Sequence, residues 1–389
     1  MKKVVLAYSG GLDTSVAIKW LKDRGYEVVA YMADVGQEKT TKAAITRAKV
    51  AGAAKVVVRD LKLRFATEYI WPALKAGAVY EGRYTLATAL SRPIIAAEQV
   101  KVAHEERATA VAHGCTGKGN DQVRFEVTTQ ALDSSLEILA PVREWEFRSR
   151  EEEIRYAEKH GIPIDVSKKS PFSIDKNIWG VSVEAGVLEN PDHEPPREAF
   201  QWTRGADERN PKDRVIEIGF EKGVPVWLNG RRKGPLELIA ELNTAGAYYG
   251  IGRMDMIENR LVGIKSRETY EAPAATILLQ AHKDLEALVL DREMLHYKEG
   301  IAQKYADLIY YGLWFTPLRK ALDAFISETQ RNVTGTVRVR LRKYSSHVVG
   351  RRSPHSLYRE TLATYGSKDT FDQKLSKGFI DLWALPYRK

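Results

Sequence analysis

Two short stretches concentrate the residues that could do chemistry. The first, SGGLDTS from Ser9 to Ser15, follows the apolar run VVLAY and precedes the helical run VAIKWLK. Gly10 and Gly11 let the backbone turn tightly against an anion, the following helix presents unpaired amides at its positive end, and Ser9, Thr14 and Ser15 add hydroxyl donors. The combination predicts a nest for a phosphate chain. It is not a Walker A loop, because the GxxxxGK[ST] spacing and its lysine are missing. The plainer alternative for the same residues is a strand-to-helix turn in which Asp13 or Thr14 caps the helix.

The second stretch is GCTGKGNDQVRFE, Gly114 to Glu126. Gly114, Gly117 and Gly119 permit close approach of backbone to a ligand, while Thr116, Lys118, Asn120, Asp121 and Arg124 supply donors, acceptors and both charges. A polar zwitterion would suit it; a solvated turn with Asn120 or Asp121 capping the next helix is the competing reading. Cys115 lies in the same stretch, near His113 and Lys118, but its small neighbours favour packing over nucleophilic catalysis.

These loops need a scaffold that sets them side by side. Val4–Tyr8, Val28–Met32, Val56–Val58, Ala108–His113 and Glu137–Val142 read as buried strands with amphipathic segments between them, which predicts a doubly wound parallel sheet over residues 1–167. In such a sheet ligands sit beyond the carboxyl ends of the strands, so the loops after Tyr8, Met32 and His113 are where a site belongs. Pro163, Pro171, Pro191, Pro195, Pro196 and Pro211 then break up any long element. Beyond them, Arg214–Phe220 and Val224–Leu228 read as a hairpin, and Ala274–Tyr297 and Pro317–Gln330 as long helices. Blocks of strands and helices in place of strict alternation predict a separate α+β domain over 168–360, followed by a tail, 361–389, whose Phe371, Leu375, Phe379 and Leu382 form an apolar helical stripe.

Composition narrows the class. With 389 residues, 44% hydrophobic and 29% charged, the chain is globular. A single cysteine excludes an intramolecular disulfide and a thiolate zinc site and fits a reducing, cytoplasmic setting. No uncharged apolar run is long enough for a membrane helix, and the start of the chain has too short an apolar core for a signal peptide. The formal charge of +9 raises nucleic acid as a partner, but the eight basic residues between Arg331 and Arg359, with no acidic one among them, leave 52 basic against 51 acidic residues elsewhere. In VRVRLR, Val337, Val339 and Leu341 alternate with Arg338, Arg340 and Arg342, a strand with one buried and one wet face and no interleaved aromatics to stack bases. A solvated face or a subunit contact is the expectation, not nucleic acid.

SGGLDTS resembles the pyrophosphate loop of the N-type ATP pyrophosphatases, which adenylate a substrate oxygen and release pyrophosphate. Together with GCTGKGNDQVRFE it resembles the argininosuccinate synthetase family within that group. So do AGAVYEGRYTLATALSRP (Ala76–Pro93), PFSID (Pro171–Asp175), GVSVEAGVLENP (Gly180–Pro191), DMIENRLVGIKSRETYEAP (Asp255–Pro273), LDREMLH (Leu290–His296), YYGLWFTP (Tyr310–Pro317) and VTGTVRVRL (Val333–Leu341), in the family's order over essentially the whole chain.

The resemblance implies a ligase that joins L-citrulline and L-aspartate through a citrullyl adenylate, with ATP as substrate and Mg²⁺ accompanying the nucleotide; no residue is assigned as a metal ligand. It implies ATP binding by Ala7, Tyr8, Ser9, Gly10, Gly11, Leu12, Asp13, Thr14, Ser15, Ala33 and Gly114. It assigns aspartate to Thr116, Asn120 and Asp121, and citrulline to Tyr84, Thr88, Asn120, Arg124, Ser173, Ser182, Glu258 and Tyr270. Asp13 and Asp121 are the catalytic candidates, the first in the pyrophosphate nest and the second placed to orient the aspartate amine or take its proton. It further implies a homotetramer without membrane or nucleic acid partners. Two positions depart from the family pattern: Ala89, where serine is usual, and Cys115, where alanine is usual. On the loop alone, a tRNA-adenylating enzyme or a non-enzymatic ATP-binding module would also fit.

Overall fold

A computed structural model describes residues 1–37, 42–163 and 172–389. Its first sheet is parallel, with strands β1 (Lys2–Ala7), β2 (Tyr26–Asp34), β3 (Lys55–Asp60), β4 (Ala110–His113) and β5 (Glu137–Leu139) in the order β3-β2-β1-β4-β5. Val4, Val5 and Leu6 of β1 and Val29, Ala30 and Tyr31 of β2 are fully buried, as continuous apolar runs in a sheet covered on both faces require. The edges depart from the expectation of buried strands throughout: Val58 on β3 is 41% exposed, and the fifth strand stops at Leu139, ahead of Pro141. Chain order reverses at β1, which pairs β2 on one side and β4 on the other. The carboxyl ends of β1 and β4 therefore open a crevice at this switch point, and both glycine-rich loops emerge there.

Beyond residue 172 lie two antiparallel sheets. One runs β11-β12-β7-β6, from β6 (Ser173–Asn177), β7 (Gly180–Glu184), β11 (Arg253–Asn259) and β12 (Lys265–Glu271). The other runs β10-β9-β8-β13-β14, from β8 (Arg214–Glu221), β9 (Val224–Leu228), β10 (Arg231–Arg232), β13 (Gly335–Arg342) and β14 (Ser345–Arg352). The expected hairpin is β8–β9, and β13 buries Val337, Val339 and Leu341 while Arg338 and Arg342 face outward. Three of the eight basic residues of the ribbon form ion pairs: Arg331 with Glu328, Arg342 with Asp213 and Arg351 with Asp284. The boundary at 167/168 and Pro171 lie outside the described residues.

The expected helix Ala274–Tyr297 is two helices, Pro273–Val289 and Arg292–Tyr310. Leu290 and Asp291 are extended, and the Asp291 carboxylate accepts from Met294 N, so an N-cap restarts the chain where apolar periodicity runs on unbroken. The tail is corrected as well. Its helix is Leu375–Trp383, which leaves Phe371 off it, and Leu375, Phe379 and Leu382 are all more than 60% exposed.

Contacts across the two halves hold the crevice in shape. Asn177 Nδ2 donates to Ala87 O at 2.8 Å, Trp179 Nε1 to Thr85 O at 3.1 Å and Tyr80 Oη to Asn259 O at 3.0 Å. Lys298, buried in helix Arg292–Tyr310, donates to Ala76 O at 3.1 Å and pairs with Glu286 at 3.1 Å, which fixes the helix whose last residue, Tyr310, enters the site.

Candidate active site

The phosphate loop is built from a left-handed glycine and a self-satisfied helix start. Gly10 has φ +82°, and a Cβ there would lie 2.9 Å from Ala44 Cβ, so only glycine fits without strain. Helix Leu12–Asp23 begins at Gly11 with no side-chain cap, so neither Asp13 nor Thr14 takes that role. Ser15 instead donates through Oγ to Gly11 O at 2.7 Å and contacts Tyr8 Oη at 3.1 Å, while Ser9 Oγ and Thr14 Oγ1 stand 3.1 Å apart. With no side-chain cap, the first-turn amides remain available to an anion.

Two neighbours that sequence reasoning passed over add charge. Arg47, on helix Lys42–Val50, donates to Gly10 O. Glu153, on helix Arg150–Lys159, has a buried Oε2 that meets no hydrogen-bond partner. Burial, and then the nearby charge of Asp13, push the Glu153 carboxyl up to about 8. Two carboxyls beside a phosphate nest, one with an orphaned oxygen, suit the oxygen-ligand preference of Mg²⁺, which is typically bound by one or two carboxylates plus substrate phosphates. Among the described residues no cluster of three or more such ligands occurs.

The second loop is organised by a half-buried carboxylate. Asp121 opens helix Asp121–Leu132 and is held by two guanidiniums, Arg92 Nε at 2.8 Å from Oδ2 and Arg124 Nη1 at 2.9 Å from Oδ1. Burial would raise Asp121, but the charges of Arg92 and Arg124 outweigh it and hold the carboxyl below its usual range. Arg92 also bonds Asp175 on β6, and Arg124 Nε donates to Tyr310 O at 3.0 Å. Asn120 caps nothing: Nδ2 donates to Tyr310 Oη at 2.8 Å and Oδ1 accepts from Leu261 N at 2.9 Å, a clasp between the two halves.

Around this core the structure gathers the remaining predicted residues. Tyr84 Oη accepts from Thr88 N at 3.1 Å and Ala89 N at 3.3 Å, and its ring stacks on Tyr270 with centroids 4.2 Å apart. Thr88 Oγ1 lies 3.1 Å from Ser182 Oγ. Glu258 on β11 accepts from Tyr270 Oη and Tyr310 Oη, each at 2.7 Å.

Two cavities result. The larger, about 520 Å³, is lined by Ala7, Tyr8, Ser9, Thr14, Ala33 and Gly114 together with His113 and Gln37, while Gly10, Gly11, Leu12, Asp13 and Ser15 of the same loop do not line it. The smaller, about 370 Å³, is lined by Tyr84, Thr88, Thr116, Asn120, Asp121, Arg124, Ser173, Ser182, Glu258 and Tyr270, with Glu184, Arg260 and Glu268 unforeseen. Both share Ser9, Arg92, Gly114, Cys115, Asp121, Ile174 and Asp175, so they meet along one seam. Gly114 sits tightly there, since a Cβ on it would lie 2.8 Å from Thr14 Cγ2.

The two departures resolve differently. Ala89 is fully buried and lines neither cavity, whereas Cys115 lines both. Burial, then the charge of Asp121, raise the Cys115 thiol, which stays protonated and is a poor nucleophile. Arg92 is the main omission from the sequence reading, and nothing in ALSRP sets it apart from an ordinary helical arginine.

A family model described as the arginosuccinate synthase N-terminal HUP domain matches residues 3–163, and one described as the arginosuccinate synthase C-terminal domain matches 172–389. An argininosuccinate synthase of Chlorobium phaeobacteroides (strain BS1) is 57% identical over 385 residues, 99% of this chain and 96% of the relative. Another, of Geobacillus kaustophilus (strain HTA426), is 57% identical over 384 residues, 99% of this chain and 94% of the relative. Both halves of the fold match in order and the likeness runs nearly end to end, so the chain belongs to the argininosuccinate synthase family.

Proposed function

We propose that the larger cavity takes ATP, the smaller one takes citrulline and aspartate, and the seam between them is where adenylation occurs. The reaction is the ATP-dependent ligation of L-citrulline and L-aspartate to argininosuccinate through citrullyl-AMP, with release of AMP and pyrophosphate. The observation that carries this reading is the shared wall. A ureido oxygen in the smaller cavity and an α-phosphorus in the larger one meet across Arg92, Gly114 and Asp121.

A ureido oxygen is a poor leaving group, so direct displacement by an amine would be slow. The ureido oxygen attacks the α-phosphorus, the bond to the bridging oxygen breaks, and pyrophosphate leaves against the loop amides of residues 10–15. Asp13, with Glu153 once its proton is displaced, would hold Mg²⁺, whose charge would offset that of the phosphates. The aspartate ammonium passes a proton to water, and the free amine then attacks the ureido carbon and expels AMP. Thr116, exposed on the loop, and Asn120 face the aspartate. Asp121, kept ionised by its two guanidiniums, acts as an anchor for an ammonium more readily than as a proton acceptor. Arg124, Tyr84, Thr88, Ser173, Ser182, Glu258 and Tyr270 position citrulline, and positioning three substrates supplies much of the rate.

The division at residue 167, the tail from residue 361 as an oligomerisation element of a homotetramer, and a cytoplasmic location belong to the same reading. The bare apolar face of Leu375–Trp383 and the single cysteine support the last two. The test is pyrophosphate release from ATP with citrulline and aspartate added separately and together. Citrulline alone should support exchange of labelled pyrophosphate into ATP, and net synthesis should need both; release dependent on tRNA, or none at all, would refute the assignment.

A further inference from the structure

The acidic end of the smaller cavity holds more carboxyl groups than the citrulline assignment uses. Glu184 from β7 and Glu268 from β12 converge there on one guanidinium, Arg260, which bonds Glu184 and lies 3.2 Å from Glu268 Oε1, and Glu258 from β11 lines the same end. Tyr270 Oη stands 2.7 Å from Glu258 Oε2 and 2.9 Å from Glu268 Oε2. A phenol carries one proton, so it cannot donate along both contacts. Glu258 already accepts through its other oxygen from Tyr310, whose own oxygen accepts from Asn120. Glu258 thus accepts from two phenols. A proton on Glu268, donated to the phenol oxygen, would satisfy the second contact.

We propose that Glu268 is a neutral carboxylic acid in the ligand-free enzyme and that it surrenders its proton to solvent when the α-ammonium of the amino-acid substrate enters beside Glu258. The proposal rests on the reading that citrulline occupies this cavity. The ureido end must lie at the seam, near Asp121 and Arg92, so the zwitterionic head falls at the opposite, carboxylate-rich end. Charge balance points the same way. The groups facing Glu268 are Glu258 from β11, Arg260 just beyond it, Glu184 from β7, Tyr270 from its own strand and Tyr84 from the turn before helix Ala87–Glu105, so one cation stands against three carboxyls. Burial, then the charges of Glu258 and Glu184, raise Glu268 to about 8. On binding, the Glu268 O–H bond breaks, the proton passes to water, and N–H contacts from the ammonium replace it. Glu268 thereby makes the head-group site selective for a cation and silent toward neutral ligands.

Calorimetric titration of the full-length enzyme with citrulline in buffers of differing ionisation enthalpy reads the proton directly. At pH 7 we expect release of about 0.9 proton per site, the fraction that a group titrating near 8 retains there, and about tenfold weaker binding at pH 6. A citrulline analogue without the α-amino group, 5-ureidopentanoate, should bind with no release. Glu268→Gln keeps a donor for Tyr270 and cannot ionise, so release should vanish and the pH dependence flatten. Citrulline binding to the wild type without proton release overturns the proposal, as does equal release with the analogue or undiminished release in Glu268→Gln. If citrulline neither binds nor supports pyrophosphate exchange, the parent reading fails, and this one with it.

Discussion

Arg92 offers the sharpest test of the seam, because it touches the walls of both cavities and no substrate assignment depended on it. Arg92→Met keeps the length of the side chain and removes its charge. Asp175 would then lose its partner, but its side chain is 34% exposed and water can replace the guanidinium. Asp121, 29% exposed, is about as open to water and keeps Arg124 at 2.9 Å. The loss is therefore closer to one charge-assisted hydrogen bond, about 1.5–3 kcal/mol, than to the roughly 3–5 kcal/mol of an isolated buried pair broken outright. If Arg92 also gives the transferring phosphoryl group at the seam one charge-assisted hydrogen bond of similar size, then at about 1.36 kcal/mol per tenfold kcat/KM should fall roughly ten- to a hundredfold. Both half-reactions should suffer alike, read as citrulline-dependent exchange of labelled pyrophosphate and as overall synthesis. A pH signature accompanies it. Asp121 titrates below its ordinary value, so its stabilising contribution is present above the unfolded pKa and disappears as pH falls through the folded one. Removing Arg92 raises that folded value, and acid unfolding should begin at a higher pH. Exchange within twofold of wild type in folded Arg92→Met would refute the idea that the seam is the reaction site.

The phosphate nest predicts that Gly10→Val abolishes turnover, since the left-handed backbone and the approach to Ala44 both exclude a branched residue; near-normal activity would contradict it. Thr116→Val should lower kcat/KM for aspartate about ten- to a hundredfold by removing one hydrogen bond to a charged substrate, while pyrophosphate exchange stays intact. Equal loss of exchange would move Thr116 to the nucleotide or citrulline site. Glu153 is raised, so its neutral form is favoured by folding, and stability falls as pH rises from the unfolded value toward about 8. Glu153→Gln should therefore raise Tm at pH 8 and leave it unchanged near pH 4, and equal shifts at both would reject the burial argument. Truncation after Tyr365 removes the bare helix Leu375–Trp383 and should yield a smaller oligomer by light scattering; an unchanged oligomeric state would free the tail from any assembly role.

The parallel sheet was legible because its central strands are buried on both faces and so are written as unbroken runs of valine, alanine and leucine. The sheet β11-β12-β7-β6 was not, and the reason is functional. SIDKN, RMDMIEN and KSRETYE spend positions on Ser173, Asp175, Glu258 and Glu268, which face the smaller cavity, so the alternation that marks a half-buried strand is lost where the site occupies a face. The break at Leu290–Asp291 escaped notice because a cap acts through a single side chain, whereas apolar periodicity averages over many. In REEEIR, Glu153 reads as one more solvated helical acid; only the packing of its helix against Leu12–Asp23 brings it beside Asp13.

The two glycine-rich loops were visible singly, but their meaning comes from the order of strands. β1 and β4 are separated by more than a hundred residues in sequence and are neighbours in the sheet, so the amides after Ser9 and the polar run after Gly114 emerge on the same rim. Helix Ala87–Glu105 crosses between them and carries Arg92 to the rim; β6 brings Asp175 to its other side. One guanidinium thus ties a residue of the second loop to a strand of the other half, at the place where the cavities join. A charge set there by three separate elements has no local motif to announce it. It follows from topology first and side-chain chemistry second, which is why the loops could be read from sequence and the link between them could not.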